Sequence, residues 1–300
     1  MNTTRLTGFL ALSMIMLSSK KIDPPMQNPI NASENVRLIE QTEIAAWRSL
    51  IDAAPDSLKQ LTGLKHQDIG GGMAINFQHE PTPLFNRVIG LGLASPLTQE
   101  VIDSIKAFYT HREKYIVHCL SGMRPDNADA LLLKQNGFYL AGAWERIIRD
   151  NKPLIDKSDE DIEVRLVDEQ LKERWVRFLI DTYGVDFYWW PRAFAFQKGW
   201  KHYAAFRNGE IVACRSFFTT DSKTIFSGVD APVPGVMTHD YKPDFAIWRK
   251  AIKDGLKEHS ILFVADIELP DKEKNKAAYA GFKELGFRIP YTRYHYRLNR

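Results

Sequence analysis

A polar stretch from Asp150 to Asp161 divides the chain into two segments that carry the same order of secondary-structure signals. Each segment ends in a helical pattern, then a Gly-Phe pair (Gly137-Phe138 and Gly286-Phe287), then a strand pattern. Glycine is favoured just after a helix, because it takes the left-handed conformation without steric cost. The repetition predicts a duplicated unit of strands and helices, with the polar stretch as its linker.

The second segment alternates apolar strand patterns with amphipathic helical patterns. Asn208-Gly209 predicts a tight hairpin turn, because both central residues of a type I′ turn need positive φ. The predicted strands are Ile162 to Val167, Lys201 to Phe206, Ile211 to Thr219, Thr224 to Val229, Ile261 to Ile267 and Arg288 to Leu298, and the predicted helices are Glu169 to Tyr183, Asp244 to Glu258 and Asp271 to Leu285.

The first segment repeats this arrangement in shorter form. We expect Val36-Arg37-Leu38 and Val164-Arg165-Leu166 to open the two segments in the same way. The predicted strands are Asn86 to Leu93, Tyr115 to Leu120 and Trp144 to Ile148, and the predicted helices are Thr98 to His111 and Asp126 to Asn136. Gly70-Gly71-Gly72 precedes the strand pattern Met73 to Phe77 and no helix, which argues against a phosphate-binding loop.

These boundaries predict an N-terminal extension over residues 1–34, a first domain over 35–150, a linker over 151–161 and a second domain over 162–300. The apolar run Leu6 to Leu17 is too short to span a bilayer, and no small-x-small cleavage pattern follows it. We therefore expect a cytoplasmic protein, with export as the alternative. Cys119 and Cys214 each lie in a strand pattern, which predicts buried free thiols in a reducing compartment.

Charge excludes several classes of partner. The 300 residues carry a formal net charge of +3, with acidic and basic residues interspersed. Nucleic-acid binding and stable membrane association would require a basic block, and none is present. The oligomeric state does not follow from the sequence.

The element order of the second segment, together with Asn275-x-x-Ala278 and Gly286-Phe287, resembles the GNAT superfamily of acetyl-CoA-dependent N-acetyltransferases. The resemblance extends more faintly over Val36 to Arg149, and the run Phe85 to Gly92 is similar to the first half of tandem members. It implies a mixed α/β fold of two tandem GNAT-like domains. Each would be a mostly antiparallel sheet with splayed central parallel strands, flanked by helices.

The resemblance implies acetyl-CoA as co-substrate. Its acyl-pantetheine arm would lie between the predicted strands Thr224 to Val229 and Ile261 to Ile267, and its diphosphate at the N-terminus of the helix that begins near Asp244. The loop Ala231 to Pro243 has one glycine where the family motif has two, so it departs from that motif. Its interpretation as an ordinary loop stays open. The candidate cofactor-binding residues are Val229, Gly235, Val236, Met237, Thr238, His239, Lys242 and Asn275.

The catalytic candidates are a proton donor and a base. Many family members place a tyrosine where this chain has Phe282, which cannot donate a proton. Counted back from Gly286-Phe287, Tyr279 occupies the place of a tyrosine that tandem members carry, so the resemblance implies Tyr279 as the candidate acid. A packing role for its ring is the alternative. Asp230, Asp266 and Glu268 lie at the ends of the key strands, and Glu268 is the first candidate for the base. An ordinary solvated carboxylate is the alternative for each.

Tyr188, Trp189 and Trp190 are candidates for the wall of a pocket for the acceptor, or for a plug between the two segments. No histidine or cysteine spacing indicates a metal site. The leading hypothesis is an N-acyltransferase that acetylates a primary amine of a small molecule or peptide. A non-catalytic acyl-CoA-binding or ligand-binding protein is the runner-up, and the even charge argues against a transferase that uses charged tRNA.

Overall fold

The computed structural model describes residues 34–79, 85–109, 114–120, 127–155, 161–183, 189–232, 237–238, 240–267, 272–273 and 275–299, and leaves the side chains of residues 34, 35, 189 and 190 undescribed. This part of the chain contains eight helices and eleven strands. The helices are α1 (Glu34–Asp52), α2 (Asp56–Thr62), α3 (Gln99–Phe108), α4 (Ala128–Gln135), α5 (Lys172–Tyr183), α6 (Trp189–Phe194), α7 (Lys242–Lys257) and α8 (Lys276–Glu284). The strands are β1 (Leu64–Ile69), β2 (Gly72–Phe77), β3 (Arg87–Leu91), β4 (Ile116–Cys119), β5 (Phe138–Asp150), β6 (Glu163–Leu166), β7 (Trp200–Arg207), β8 (Glu210–Thr219), β9 (Thr224–Ala231), β10 (Leu262–Ile267) and β11 (Arg288–Leu298).

All eleven strands belong to one mixed sheet with the order β1-β2-β3-β4-β11-β5-β10-β9-β8-β7-β6. The pairs β3–β4 and β9–β10 are parallel, and every other pair is antiparallel. Each half therefore has one parallel pair within an antiparallel sheet, which confirms the predicted mixed α/β class.

The two halves exchange their last strands. Strand β5 ends the first half but pairs with β10 of the second, and β11 ends the second half but pairs with β4 of the first. The two exchanged strands also pair with each other along most of their length. The sheet is therefore continuous between the two predicted domains.

The helices cover both faces of the sheet, so that β2, β3 and β4 are buried on both sides, whereas the edge strand β6 is mostly exposed. One core cluster joins residues of α1, α5 and α6, and two others join residues of α3 and α4 and of α7 and α8. Consecutive residues Ile147 and Ile148 of β5 belong to opposite clusters, because alternate side chains of a strand point to opposite faces. We call these the α1 face and the α7 face.

The predicted similarity between the openings of the two halves is wrong. Val164-Arg165-Leu166 lies in strand β6, whereas Val36-Arg37-Leu38 lies in helix α1. The buried apolar residues Val36, Ile39, Trp47 and Leu50 recur at helical spacing. A three-residue comparison was too short to detect that period.

Local turn and helix-end predictions are confirmed. Asn208 and Gly209 have φ of 52° and 81°, as a type I′ turn requires, and Gly286 has φ of 83° directly after α8. Cys119 and Cys214 are buried free thiols. Among the described helices, none has the length and apolar character needed to cross a membrane.

Candidate functional site

A gap between β9 and β10 opens on the carboxyl side of their short ladder. The two strands pair only from Thr224 to Phe226 against Leu262 to Val264. Beyond that point β9 pairs with β8 alone and β10 with β5 alone. The expected separation of the central parallel strands is therefore present, and unpaired backbone of both strands borders the gap.

Tyr279 lies near the start of α8 and reaches the sheet beside the end of β10. Its hydroxyl donates a hydrogen bond of 2.5 Å to Oε2 of Glu145 on β5. Glu145 pairs directly with Ile267, the last residue of β10, and with Thr292 of β11. The strand exchange thus places a carboxylate of the first half beside the candidate acid of the second half.

A second tyrosine lies near the same carboxylate. Tyr294 of β11 is 5% exposed, and its hydroxyl has no hydrogen-bond partner among the described residues. Burial raises the pKa of Tyr294, and the negative charge of Glu145 raises it further. A positive charge also lies near Tyr279, because the ammonium group of Lys272 is 6.0 Å from the centre of its ring.

Phe282, where many family members carry the acid, is part of an aromatic cluster on the α7 face. Its ring centre lies 5.4 Å from that of Phe245, 5.9 Å from Trp248 and 5.3 Å from Phe287. Gly281 beside it lets helix α8 approach the ring of Phe245, which a Cβ at that position would overlap. Phe282 therefore holds α8 against α7 and has no proton to donate.

Asp230, another candidate base, is held by an arginine. Nη2 of Arg215 lies 2.9 Å from its carboxylate, while Nε of the same guanidinium lies 2.7 Å from Asp244. Arg215 and Asp244 are both buried. Burial raises the pKa of Asp244, and the positive charge of Arg215 offsets part of that rise. One guanidinium thus neutralises two carboxylates beside the start of α7.

The start of α7 has few donors for an anion among its described residues. The amide of Lys242 donates to Asp240, 3.1 Å away, and Pro243 has no N–H. Arg207 lies 3.0 Å from Asp240. A cavity of about 180 Å³ lies beside the start of α7 and is lined by Arg207, Val212, Ala213, Pro232, Thr238, Asp240, Pro243 and Asp244.

The structure therefore suits one part of acetyl-CoA and not another. The gap between β9 and β10 suits an extended pantetheine arm. The described residues at the start of α7 offer its diphosphate few donors, because the amide of Lys242 already donates to Asp240, Pro243 has no N–H, and Arg207 and Arg215 are already paired with Asp240 and Asp244.

The other predicted cofactor residues are scattered around this gap. Val229 is half-buried in β9 against the core of the α1 face, Met237 is exposed, and Thr238 accepts a hydrogen bond from the amide of Asp240. Asn275 precedes α8, and its carbonyl accepts from the amide of Tyr279. Gly235, Val236, His239, Glu268 and Tyr188 lie outside the described residues, as do the side chains of Trp189 and Trp190, so their roles stay predictions.

Sequence reasoning missed a buried ionic network on the α1 face. Glu40 and Glu43 of α1 and Asp266 of β10 meet three guanidinium groups in the centre of the sheet. The basic members are Arg87 of β3, Arg146 of β5 and Arg293 of β11. Three positive and three negative charges balance, so the cluster is neutral as a whole.

Contacts within this network are close. Nη1 of Arg293 lies 2.5 Å from Oε2 of Glu43, and its Nη2 lies 2.7 Å from Oδ2 of Asp266. The hydroxyl of Tyr291 donates a hydrogen bond of 2.5 Å to Oε1 of Glu40. Burial raises the pKa of Glu43, but Arg293, Arg146 and Arg87 outweigh burial and hold it well below its usual value. Two carboxylates three residues apart, on a helix face that also carries Ile39 and Trp47, were the available signal.

Two buried histidines lie beside the network. His118 of β4 and His295 of β11 are direct cross-strand partners, and their rings lie 5.1 and 5.7 Å from that of Trp144. Burial lowers the pKa of His295 to about 3 and that of His118 well below its usual value, and nearby positive charges lower both further. Within the described ranges no group of three or more histidine, cysteine or acidic side chains could hold a metal ion.

Solved structures share this fold. A GCN5-related N-acetyltransferase from Sphaerobacter thermophilus matches with a TM-score of 0.53 and 13% identity, over 90% of this chain and 93% of that one. A GCN5-related N-acetyltransferase from Kribbella flavida matches with a TM-score of 0.51 and 12% identity, over 84% and 96% of the two chains. A conserved protein of unknown function from Staphylococcus epidermidis matches with a TM-score of 0.50 and 13% identity, over 79% and 94%.

No protein-family model and no curated protein sequence matches the chain. At 12% to 13% identity the structural likeness concerns the fold alone. The protein has the fold of the GNAT superfamily.

Proposed function

We propose that the protein is an N-acyltransferase that transfers an acetyl group from acetyl-CoA to a primary amine of a small molecule or peptide. The observation that carries this proposal is the hydrogen bond from Tyr279 to Glu145 beside the gap between β9 and β10. A proton donor at the edge of a gap suited to an extended thioester is the arrangement that acyl transfer to an amine requires.

The thioester supplies an acyl carbon that a neutral amine attacks. In this proposal Tyr279 gives its hydroxyl proton to the departing sulfur, and backbone bordering the gap holds the extended arm. Glu268 stays the base proposed from the sequence. Asp230 suits that role less well, since Arg215 holds its carboxylate.

Acceptor binding is assigned in this proposal to the aromatic segment Tyr188, Trp189 and Trp190, whose rigid side chains would wall a pocket. We also propose the cytoplasm as the compartment, because two buried free thiols suit reducing conditions.

A second candidate is a binding protein that has lost catalysis. The observation that favours it is the pair of carboxylates at the start of α7, Asp240 and Asp244, together with Pro243. Among the described residues there, Asp240 accepts from the amide of Lys242, Pro243 has no N–H, and Arg207 and Arg215 are paired with Asp240 and Asp244, so few donors are left for a diphosphate.

Two measurements separate the candidates. Calorimetric titration with acetyl-CoA and CoA measures binding, and Thr238→Pro tests whether the loop before α7 takes part. Release of free thiol from acetyl-CoA, with a set of small primary amines and peptides with free N-termini, measures catalysis. Binding and amine-dependent thiol release support the transferase, binding without thiol release supports an acyl-CoA-binding protein, and no binding at millimolar acetyl-CoA contradicts the transferase and leaves a binding protein for another ligand.

A further inference from the structure

We infer that Glu145, a residue of the first half, accepts the proton of the acceptor ammonium and passes it through Tyr279 to the leaving sulfur. This inference rests on the proposed function and names Glu145, in place of Glu268, as the base. It makes the first half part of the active site, because β5 carries the carboxylate and the second half carries the tyrosine.

The strand exchange is what brings the two groups together. Glu145 pairs with Ile267 of β10 on one side and with Thr292 of β11 on the other. Its side chain lies on the α7 face, since Ala143 and Ile147, two residues away in either direction, belong to the core clusters of that face. Without β5 in this position, the second half would have no carboxylate from the first half beside the end of β10.

The surroundings of Glu145 differ from those of the other described carboxylates near the ends of β9 and β10. Asp230 is paired with Arg215, and Asp266 with Arg146 and Arg293. Guanidinium groups therefore already occupy both of these carboxylates, which leaves them less free to bind an acceptor ammonium. Among the described residues, the hydrogen-bond donor to Glu145 is the neutral phenol of Tyr279.

The charged and titratable groups described around this pair are few. Tyr294 faces it from β11, where its buried hydroxyl has no hydrogen-bond partner among the described residues, and Lys272 lies at the Tyr279 ring. Arg146, which follows Glu145 on β5, points to the α1 face, where it contacts Glu43. A carboxylate hydrogen-bonded to a phenol, beside a buried phenol, is suited to attract and deprotonate a small ammonium group.

The proton step balances as follows. The acceptor ammonium gives one proton to Glu145, and the neutral nitrogen forms a bond with the acyl carbon. The carbon–sulfur bond then breaks, Tyr279 gives its proton to the sulfur, and Glu145 returns a proton to the phenolate. The second nitrogen proton leaves to solvent, so the products are an amide, a free thiol and one proton.

The test compares the variants Glu145→Gln, Glu268→Gln and Glu163→Gln of the full chain in the thiol-release assay with acetyl-CoA. Removing a general base lowers turnover about 10²- to 10⁴-fold. We expect this loss in kcat for Glu145→Gln, with KM nearly unchanged, and partial recovery in Glu145→Asp. Glu163→Gln, at an exposed ion pair on β6, is the matched control and should keep wild-type turnover.

The pH dependence of kcat distinguishes a base from a structural contact. The acidic limb should be present in the wild type and in Glu145→Asp and absent from the residual activity of Glu145→Gln. Adding Tyr279→Phe to Glu145→Gln should cost much less than Tyr279→Phe alone, because the two groups act as one relay.

The possible outcomes separate this inference from the proposed function. Wild-type turnover that Glu145→Gln leaves unchanged, or that only Glu268→Gln abolishes, overturns the inference and keeps the transferase. A Glu145→Gln variant that loses turnover but keeps the acidic limb also overturns it. A wild-type protein without thiol release overturns both.

Discussion

Replacing Glu43 by glutamine should destabilise the whole sheet. Its carboxylate is fully buried and faces the guanidinium groups of Arg87, Arg146 and Arg293. The substitution keeps the side-chain volume but removes one of three negative charges, which leaves a net positive charge among three buried arginines. Breaking a buried ion pair by removing one partner costs about 3 to 5 kcal/mol.

That loss is a large fraction of the stability of an ordinary domain, which is about 5 to 15 kcal/mol. Urea unfolding at neutral pH, followed by tryptophan fluorescence, measures the free energy of unfolding. Glu163→Gln is the matched control, because its ion pair with Arg165 is exposed and its loss should cost less than about 0.5 kcal/mol. A Glu43→Gln variant as stable as this control would refute the expectation that the buried network stabilises the sheet.

Three further predictions follow from other parts of the structure. His118 and His295 stay neutral when folded, so the free energy of unfolding should fall by up to about 1.4 kcal/mol per pH unit for each as pH drops from 6.5 to 5, since only the unfolded chain takes up the proton. Urea unfolding measured across this pH range should show a weaker dependence of the free energy of unfolding on pH when both histidines are replaced by glutamine. An unchanged pH dependence would contradict the lowered pKa values. Asp244→Ser should tighten acetyl-CoA binding in calorimetry, because it frees the guanidinium of Arg215 from one of its two carboxylates beside the start of α7, and weaker binding would contradict this reasoning. Gly281→Ala should cost about 1 to 3 kcal/mol in urea unfolding, because its methyl group would overlap the ring of Phe245, and unchanged stability would contradict that close packing.

The local features of the fold could be predicted because they depend on short stretches of sequence. The apolar run Ile261 to Ile267 indicated a strand covered on both faces, and β10 is such a strand. The turn at Asn208-Gly209 and the helix end at Gly286 followed from backbone sterics. Each of these signals is contained within a few consecutive residues.

The exchange of β5 and β11 could not be predicted, because it depends on which of several similar apolar strands pair with each other. Both end a half, both follow a helix and a Gly-Phe pair, and alternation alone does not choose their neighbours. The contact between Glu145 and Tyr279 is a consequence of this exchange, so it was equally hidden. Tyr279 itself was predicted from its spacing to Gly286, but its partner lies 134 positions away.

The ionic network was missed for a related reason. Its members come from α1, β3, β5, β10 and β11, and only Glu40 and Glu43 are neighbours in sequence. Because Val36 to Leu38 was compared with the opening of β6, the helical pattern of this segment was overlooked. With it went the available signal for the network, which is a pair of carboxylates on the apolar face of a helix.

The most direct test of the proposed transferase measures the acetylated product itself. Wild type and Tyr279→Phe are each incubated with acetyl-CoA and the set of primary amines, and the mixtures are analysed by mass spectrometry for acetylated amine. The account predicts acetylated product from the wild type and a loss of about 10²- to 10⁴-fold in its rate with Tyr279→Phe. Equal rates from the two proteins, or no acetylated amine from the wild type, would contradict it.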